Sequence, residues 1–221
     1  MNHSGPLNSP LEPFHPLIRR WFQERVGTPT EIQRLSWPRI CRGEHVLLTA
    51  PTGSGKTLTA FLWAIDRILA GHWPTGRTHV LYVSPLKALN ADIQKNLLQP
   101  LDEIKAVFLE KGEPCPDLRV LTRSGDTPSG ERRRMIGNPP EILITTPESL
   151  NLLLSSGSGR SLLPHIKTVI LDEIHMVVST KRGVHLITAV DRLVPLAGEF
   201  QRIAVSATVR PMERVAAYVN G

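Results

Sequence analysis

Short, continuous apolar runs alternate with amphipathic stretches along most of the chain. The runs are as long as strands, are rich in β-branched residues, and mostly lack the polar alternation of a half-exposed sheet. This pattern predicts strands that are buried on both faces of a sheet. The predicted strands cover residues 45–50, 79–84, 118–122, 141–145, 168–172 and 202–206.

Between these runs, apolar residues recur at helical spacing. From Leu58 to Leu69 they fall at i, i+3, i+4 and i+7, and Gly71 is placed to end that helix. Strands that alternate with helices predict an α/β fold, in which a mostly parallel central sheet is flanked by helices on both faces. Further helices are predicted over residues 86–109 with a break near Pro100, over 147–154, over 184–194, and from Pro211 onward.

Composition and charge narrow the class of protein. The 221 residues are 41% hydrophobic and 21% charged, which is ordinary for a globular domain. The net charge of +6 favours an anionic partner, and nucleic acid is the commonest one. The two cysteines, Cys41 and Cys115, lie far apart and the histidines show no metal-ligand spacing, so neither a disulfide framework nor a zinc site is expected.

The N-terminal residues do not have the pattern of a secretory signal. Residues 1–13 hold several prolines and little that can pack, so we predict a flexible arm there. No basic segment leads into an apolar one, and no apolar run approaches the roughly 18 residues that a membrane helix needs. We therefore expect a cytoplasmic protein that has no membrane partner.

The first candidate chemistry lies between the first predicted strand and the first clear helix. Residues 50–57 read Ala-Pro-Thr-Gly-Ser-Gly-Lys-Thr, with Ala50 where the general phosphate-loop pattern has glycine. In this setting the backbone N–H groups of a glycine-rich turn and a helix N-terminus converge on a phosphate. Lys56 would then reach the β- and γ-phosphates of ATP, and the Thr57 hydroxyl would bind Mg²⁺. The predicted nucleotide-binding residues are Thr52, Gly53, Ser54, Gly55, Lys56 and Thr57.

The second candidate is an acidic strand end. The apolar run 168–172 ends in Asp172, and Glu173 follows it. A carboxylate at the end of such a strand suits a second Mg²⁺ ligand, and the next carboxylate is placed to act as a general base towards water. Alone, the pair would more often be a solvated or helix-capping turn, but the upstream phosphate loop favours the catalytic interpretation. Glu173 also disfavours a small-molecule kinase, which has no use for a base that activates water.

Taken together, the motifs resemble a known family. The phosphate loop, Asp-Glu-Ile-His at 172–175 and Ser-Ala-Thr at 206–208 resemble motifs I, II and III of superfamily 2 DEAD/DEAH-type helicases. Longer strings, such as Ser-Pro-Leu-Lys-Ala-Leu-Asn at 84–90 and Lys-Arg-Gly-Val-His at 181–185, are similar to the Lhr-like (large helicase-related) branch. The resemblance runs from about Phe14 to the end of the chain and implies a RecA-like domain.

The resemblance also assigns roles to individual residues. It implies that Gln33 recognises adenine, and that His175, Ser206 and Thr208 couple hydrolysis to the nucleic-acid site. Nucleic-acid contacts are implied for Pro85, Lys87, Arg123, Gly125, Thr145, Thr146, Pro147 and Glu148. The arginines 132–134 either extend this basic track or form a solvated helix face. Residues 155–159, rich in glycine and serine, are predicted to be a flexible loop.

We expect this chain to be one of the two domains of a helicase motor. Superfamily 2 helicases work as two RecA-like domains, the second of which supplies an arginine to the phosphates. Residues 14–221 would be the first domain and nearly inactive alone, because nothing in the sequence resembles the later motifs. The resemblance suggests 3′-to-5′ movement on DNA. Two alternatives stay open: a double-stranded translocase, which hydrolyses ATP without separating strands, and a non-catalytic nucleic-acid-binding module, which would not depend on Lys56.

Overall fold

A six-stranded sheet forms the centre of the protein. The computed structural model describes residues 9–85, 93–207 and 215–217. Within them the strand order is β1-β6-β5-β2-β4-β3, and every neighbouring pair is parallel. Each of the six predicted strands is confirmed. They are β1 (Val46–Thr49), β2 (Val80–Val83), β3 (Val120–Arg123), β4 (Ile142–Thr145), β5 (Thr168–Leu171) and β6 (Gln201–Ser206).

Helices connect the strands and cover the sheet. In the described part of the chain a π-helical turn, Gln94–Leu98, precedes α4, and a 3₁₀ turn, Ile174–Met176, follows β5. The α-helices are α1 (Pro16–Arg25), α2 (Glu31–Ile40), α3 (Lys56–Leu69), α4 (Gln99–Glu110), α5 (Ser129–Gly137), α6 (Pro147–Ser155), α7 (Gly157–Arg160), α8 (Lys181–Asp191) and α9 (Val194–Ala197).

Each face of the sheet packs against its own group of helices. Val80 and Tyr82 of β2 pack with α1, α2, α3 and α4, whereas Leu81 and Val83 of the same strand pack with α6 and α8. Successive strand side chains point to opposite faces, so these continuous apolar runs supply both layers. Full burial of one such side chain contributes about 1.5–3 kcal/mol, which makes the two clusters the main source of stability. The predicted arrangement of helices on both faces is confirmed.

The strand registers place the described candidate residues that follow strands at one edge of the sheet. Thr49 of β1 is aligned with Ser206 of β6, and Val83 of β2 is aligned with both Leu171 of β5 and Thr145 of β4. Because the strands are parallel, their carboxyl ends meet at this edge, where ligands of such sheets bind. The phosphate loop, the acidic pair and the predicted nucleic-acid loops therefore share one side of the molecule.

The packing of residues 9–13 differs from the prediction. Leu11 is only 2% exposed and packs in the same cluster as Phe14, so the core begins inside the arm predicted for residues 1–13. Two successive turns contain it: the Glu12 N–H donates to the Ser9 carbonyl oxygen, and the Phe14 N–H donates to that of Leu11. The two leucines of this segment stand among prolines and show no helical or strand periodicity, so the burial of Leu11 was not visible in the sequence.

The glycine-rich segment 155–159 was also predicted wrongly. It is not a flexible loop, because Gly157–Arg160 forms the short helix α7, capped by the Ser156 side chain, which accepts a hydrogen bond from the Gly159 N–H. Gly159 is buried, and a Cβ there would overlap the carbonyl oxygen of Leu153. This glycine serves close packing between α6 and α7 and not conformational freedom.

Smaller differences concern helix ends. The helix predicted over 184–194 begins three residues earlier, at Lys181, because the Thr180 hydroxyl caps it by accepting from the Gly183 N–H. The break predicted near Pro100 is a change from π- to α-helix, with the proline in the first turn of α4. The helix predicted from Pro211 onward is described only at residues 215–217, which are helical. The site residues Lys87 and Thr208 lie outside the described residues. Among the described residues, none of the helices has the length and apolar character needed to span a membrane.

Candidate functional site

The phosphate loop joins the end of β1 to the start of α3. Gly53 and Gly55 have φ angles of 83° and 84°, a left-handed conformation that glycine adopts without steric cost. The Ser54 N–H closes the turn onto the Pro51 carbonyl oxygen at 3.3 Å, and α3 begins at Lys56 directly after Gly55. The two glycines therefore turn the chain so that a helix N-terminus faces the edge of the sheet, which is the geometry that binds phosphate.

Lys56 lies over this loop and close to the acidic pair. Its Nζ donates to the carbonyl oxygens of Ala50 and Pro51 at 2.5 and 2.8 Å. Burial lowers the pKa of Lys56, and the charges of Glu173 and Asp172 oppose that shift. Both carboxylates follow β5, and β6 alone lies between that strand and β1, which leads into the loop of Lys56. The phosphate loop and the acidic strand end converge on one region.

Gln33 is buried against the same loop. It is 1% exposed, and its Oε1 accepts a hydrogen bond from the Thr30 N–H at 2.9 Å in a capping box at the start of α2. Its Nε2 faces Gly55, and the Thr30 hydroxyl donates to the Ser54 carbonyl oxygen at 3.1 Å. These contacts fasten the first turn of α2 to the phosphate loop. Recognition of adenine by Gln33 stays a prediction.

The contact between Gln33 and Gly55 leads to a matched pair of variants. In Gly55→Ala the new Cβ would lie 2.9 Å from Gln33 Nε2, whereas in Gly53→Ala it would meet nothing within 4 Å. Both changes place alanine at a φ angle above 80°. We expect both to destabilise the fold, and Gly55→Ala to cost about 1–3 kcal/mol more, because only it crowds a buried side chain. Urea denaturation measures the difference, and equal losses for the two variants would contradict the packing argument.

Asp172 and Glu173 are held in a specific conformation at the end of β5. The Asp172 N–H donates to the Val83 carbonyl oxygen at 2.9 Å, and the carboxylate Oδ1 of Asp172 accepts from the Glu173 N–H at 2.9 Å. Glu173 has a φ angle of 48°, which among described residues other than glycine is the one positive value. A left-handed conformation at such a residue costs free energy and is commonly found at functional sites.

A side chain that the sequence interpretation overlooked contacts Asp172. The Tyr82 hydroxyl, on the neighbouring strand β2, donates to Asp172 Oδ2. Burial raises the pKa of the Asp172 carboxyl, the hydrogen bond from Tyr82 opposes that shift, and the charge of Glu173 adds to it. In the sequence Tyr82 was only one apolar residue of a predicted strand. The signal that could have revealed it is a hydroxyl in the strand adjacent to the acidic one.

His175 connects the acidic pair to the end of β6. Its Nδ1 lies 3.2 Å from Glu173 Oε2 and 3.3 Å from the backbone nitrogen of Ala207. This nitrogen either carries a proton and donates to Glu173, or is bare and accepts from the Ala207 N–H, so the proton selects the partner. Ser206 is fully buried, and its hydroxyl has no hydrogen-bond partner among the described residues. The proximity agrees with the predicted coupling role, which stays a prediction.

Most predicted nucleic-acid residues present little side chain to the solvent. Pro85 and Pro147 are buried, Thr145 is 1% exposed, and its hydroxyl donates to the Arg123 carbonyl oxygen at 2.8 Å. The Thr146 hydroxyl caps α6 by accepting from the Ser149 N–H. These side chains therefore shape the loops. A nucleic-acid strand bound here would contact the backbone of these residues and not their side chains.

The four arginines at the end of β3 and in α5 have different surroundings. Arg123 is 9% exposed, and its NH1 has no hydrogen-bond partner among the residues that the structure describes. Arg132 donates to the carbonyl oxygens of Thr127 and Gly125, both at 2.7 Å, so it holds the exposed loop around Gly125 and does not lie on a freely solvated face. Arg133 and Arg134 are exposed, so for these two both alternatives stay open: an extension of the basic track or a solvated helix face.

Glu148 forms an ion pair that the sequence interpretation missed. Arg182, in the first turn of α8, donates through Nε and NH2 to both carboxylate oxygens of Glu148, at 2.6 and 3.1 Å. The hydrogen bond from Arg182 lowers the pKa of Glu148. The pair joins the N-terminal turns of α6 and α8 at the carboxyl edge of the sheet, and about 40% of the Arg182 side chain remains exposed.

Comparison with known proteins agrees with this arrangement. A family model described as DEAD/DEAH box helicase matches residues 30–215. The Lhr helicase/probable uracil glycosylase of Mycolicibacterium smegmatis is 51% identical over 214 residues, which make up 96% of this chain and 14% of that protein. The ATP-dependent helicase Lhr-Core protein 2 of Thermococcus barophilus is 48% identical over 207 residues, 92% of this chain and 24% of that protein.

A solved structure supports the same relationship. The Mycobacterium smegmatis helicase Lhr bound to ssDNA and AMP-PNP superposes with a TM-score of 0.90 at 51% identity, over 96% of this chain and 27% of that chain. The chain spans only 14% to 24% of the length of the two curated relatives. These matches confirm the RecA-like α/β fold and the Lhr-like resemblance that the motifs indicated.

Proposed function

The chain belongs to the DEAD/DEAH box helicase family, and from this premise we propose that it is the ATP-binding domain of an ATP-dependent helicase that moves on nucleic acid. One observation carries the proposal: the loop that holds Lys56 and the segment that holds Asp172 and Glu173 follow β1 and β5, which flank β6 and end at the same edge of the sheet. DNA is the preferred track and ATP the nucleotide, because the similar Lhr helicase was solved with ssDNA and AMP-PNP. A second RecA-like domain, in the same or a separate chain, completes the motor.

In the proposed reaction, the oxygen of a water molecule forms a bond to the γ-phosphorus of ATP, the bond from that phosphorus to the β–γ bridging oxygen breaks, and ADP and inorganic phosphate are released. Lys56 exchanges its bonds to the Ala50 and Pro51 carbonyls for phosphate oxygens, and the N–H groups of residues 52–57 cradle the phosphates. Glu173 takes the proton from the attacking water. The Thr57 hydroxyl and the Asp172 carboxylate suit Mg²⁺, a hard cation that prefers oxygen ligands and binds through few protein groups plus phosphates. Bound there, Mg²⁺ would neutralise charge on the β- and γ-phosphate oxygens.

Substituting the lysine tests the nucleotide half of the proposal. We expect Lys56→Ala to weaken binding of a fluorescent ATP analogue in the presence of Mg²⁺ about 10- to 100-fold, because a hydrogen bond to a charged group is lost. Lys105→Ala is the matched control, since Lys105 Nζ also donates to a backbone carbonyl, that of Leu118 at 2.7 Å, in a remote part of the fold. Equal affinities for Lys56→Ala and the unmodified chain would show that the loop does not bind phosphate.

For the nucleic-acid site we propose that Arg182, which is paired with Glu148, binds a backbone phosphate of single-stranded nucleic acid. Glu148 itself carries a negative charge, so its part is to orient the guanidinium. We expect Arg182→Gln to weaken binding of a single-stranded oligonucleotide and to reduce the slope of log affinity against log salt by about 0.7, the value for one phosphate contact. Arg20→Gln, which breaks an exposed pair with Glu24 on α1, serves as control. An unchanged salt slope in Arg182→Gln would exclude this contact.

A protein that acts on nucleic acid in this way is proposed to work in the cytoplasm. Fractionation of cells followed by detection of the chain would check that location, and recovery with membranes would contradict it.

A further inference from the structure

Tyr82 occupies an unusual place for a polar group in this fold. It lies in the middle of β2, is 2% exposed, and donates its hydroxyl hydrogen to Asp172 Oδ2. β2 and β5 are parallel neighbours, with Tyr82 aligned with Ile170, so Asp172 lies just beyond the aligned position on the next strand. The hydroxyl therefore reaches diagonally across the sheet to the carboxyl edge.

The tyrosine ring is fixed by its surroundings. It packs against Phe61 of α3 with ring centroids 5.1 Å apart, and Phe61 is fully buried. Since α3 begins at Lys56, directly after the phosphate loop, the ring lies between that helix and the sheet. Its hydroxyl consequently has little freedom to leave Asp172, because interiors of this kind are close-packed.

The Asp172 carboxylate is oriented from two sides. The Tyr82 hydroxyl donates to Oδ2, and the Glu173 N–H donates to Oδ1 at 2.9 Å. An ionised carboxylate has about four acceptor positions, so both oxygens keep lone pairs for further partners. Groups that donate to a ligating carboxylate fix its direction and are known to control metal affinity.

We propose that Tyr82 is a positioning residue for Asp172 and thereby sets the affinity for Mg²⁺ in the nucleotide complex. The inference rests on the proposed function, in which Asp172 contributes to Mg²⁺ binding. Tyr82 itself touches neither nucleotide nor metal in this scheme. Its contribution is to fix the direction of a carboxylate that would otherwise be held at Oδ1 alone, by the Glu173 N–H.

The test is Tyr82→Phe, which removes one oxygen and keeps the buried ring. Binding of a fluorescent ATP analogue is measured while Mg²⁺ is titrated, and again with the metal chelated. We expect the Mg²⁺ concentration for half-maximal binding to rise about tenfold, while the affinity for metal-free nucleotide stays unchanged. Thr78→Val is the matched control, because Thr78 is buried just before β2 and its hydroxyl has no partner among the described residues.

Combination with Asp172→Asn shows whether the tyrosine acts through the carboxylate. We expect Tyr82→Phe to add nothing to the raised Mg²⁺ requirement of Asp172→Asn, and a further increase in the double variant would overturn the proposal. A Mg²⁺ requirement for Tyr82→Phe that equals or falls below that of the unmodified chain would overturn it as well. Nucleotide binding by the unmodified chain that ignores Mg²⁺ would instead contradict the proposed function.

Discussion

Supplying a second RecA-like domain is expected to raise ATP hydrolysis by this chain about 10³- to 10⁵-fold, the range that an arginine brought to the phosphates contributes in related enzymes. Lys56 supplies one positive charge from within the domain. The negative charge on the phosphoryl group during transfer needs a further positive group to stabilise it. The experiment replaces the matching segment of the Mycolicibacterium smegmatis relative, which is 51% identical over 214 residues, with residues 1–221 of this chain. Hydrolysis is compared between this chimera and the isolated chain, each with single-stranded DNA.

The same chimera separates the possible outcomes. Lys56→Ala in the chimera is the control, because it removes the loop lysine and should return hydrolysis to the level of the isolated chain. Brisk, DNA-stimulated hydrolysis by the isolated chain would contradict the argument that an arginine from outside is needed. A chimera that binds Mg-ATP and DNA but gains no hydrolysis would contradict the proposal that these residues form half of an ATPase.

The parts of the fold that local sequence determines were predictable. All six strands are confirmed, and the four inner ones are buried throughout, as a parallel sheet covered on both faces requires of continuous apolar runs such as Val80–Val83. Burial on both faces was wrongly predicted for the edge strands β1 and β3, which are only partly buried because each has a neighbouring strand on one side alone. The phosphate loop was recognisable because its chemistry depends on consecutive residues, in particular glycines at φ angles near 80° followed by Lys56. In both cases a few neighbouring residues determine the local structure.

Contacts between distant residues were not predictable from pattern. The hydrogen bond between Tyr82 and Asp172 joins residues 90 positions apart, and the pair of Arg182 with Glu148 joins residues 34 apart. Each depends on which strands or helices become neighbours, and strand order is not encoded in any single run. Gly159 shows the opposite error, since glycine suggested flexibility where the packing of α6 against α7 requires the absence of a Cβ.

Glu173→Gln is expected to lower hydrolysis by the chimera about 10²- to 10⁴-fold, the contribution of a general base, while Mg-ATP binding is retained. Glutamine has the same shape and can keep the contact near His175 Nδ1, which lies 3.2 Å from Glu173 Oε2, but it cannot take a proton from water. Residue 173 has a left-handed backbone conformation with a φ angle of 48°, and its N–H donates to Asp172 Oδ1. This hydrogen bond does not involve the side chain of residue 173, so the local geometry should persist. Steady-state hydrolysis and nucleotide binding, measured on the same preparation, give the two quantities.

The split between the two quantities identifies the role of Glu173. Glu24→Gln is the control, because Glu24 is an exposed carboxylate paired with Arg20, far from the carboxyl edge of the sheet. A loss below tenfold for Glu173→Gln would show that another group accepts the proton. Loss of Mg-ATP binding together with hydrolysis would place the carboxylate in nucleotide or metal binding instead. Retained binding with hydrolysis lost would also leave the DNA-bound, ATP-bound chimera long-lived, so slower release of single-stranded DNA in Mg-ATP should accompany the defect.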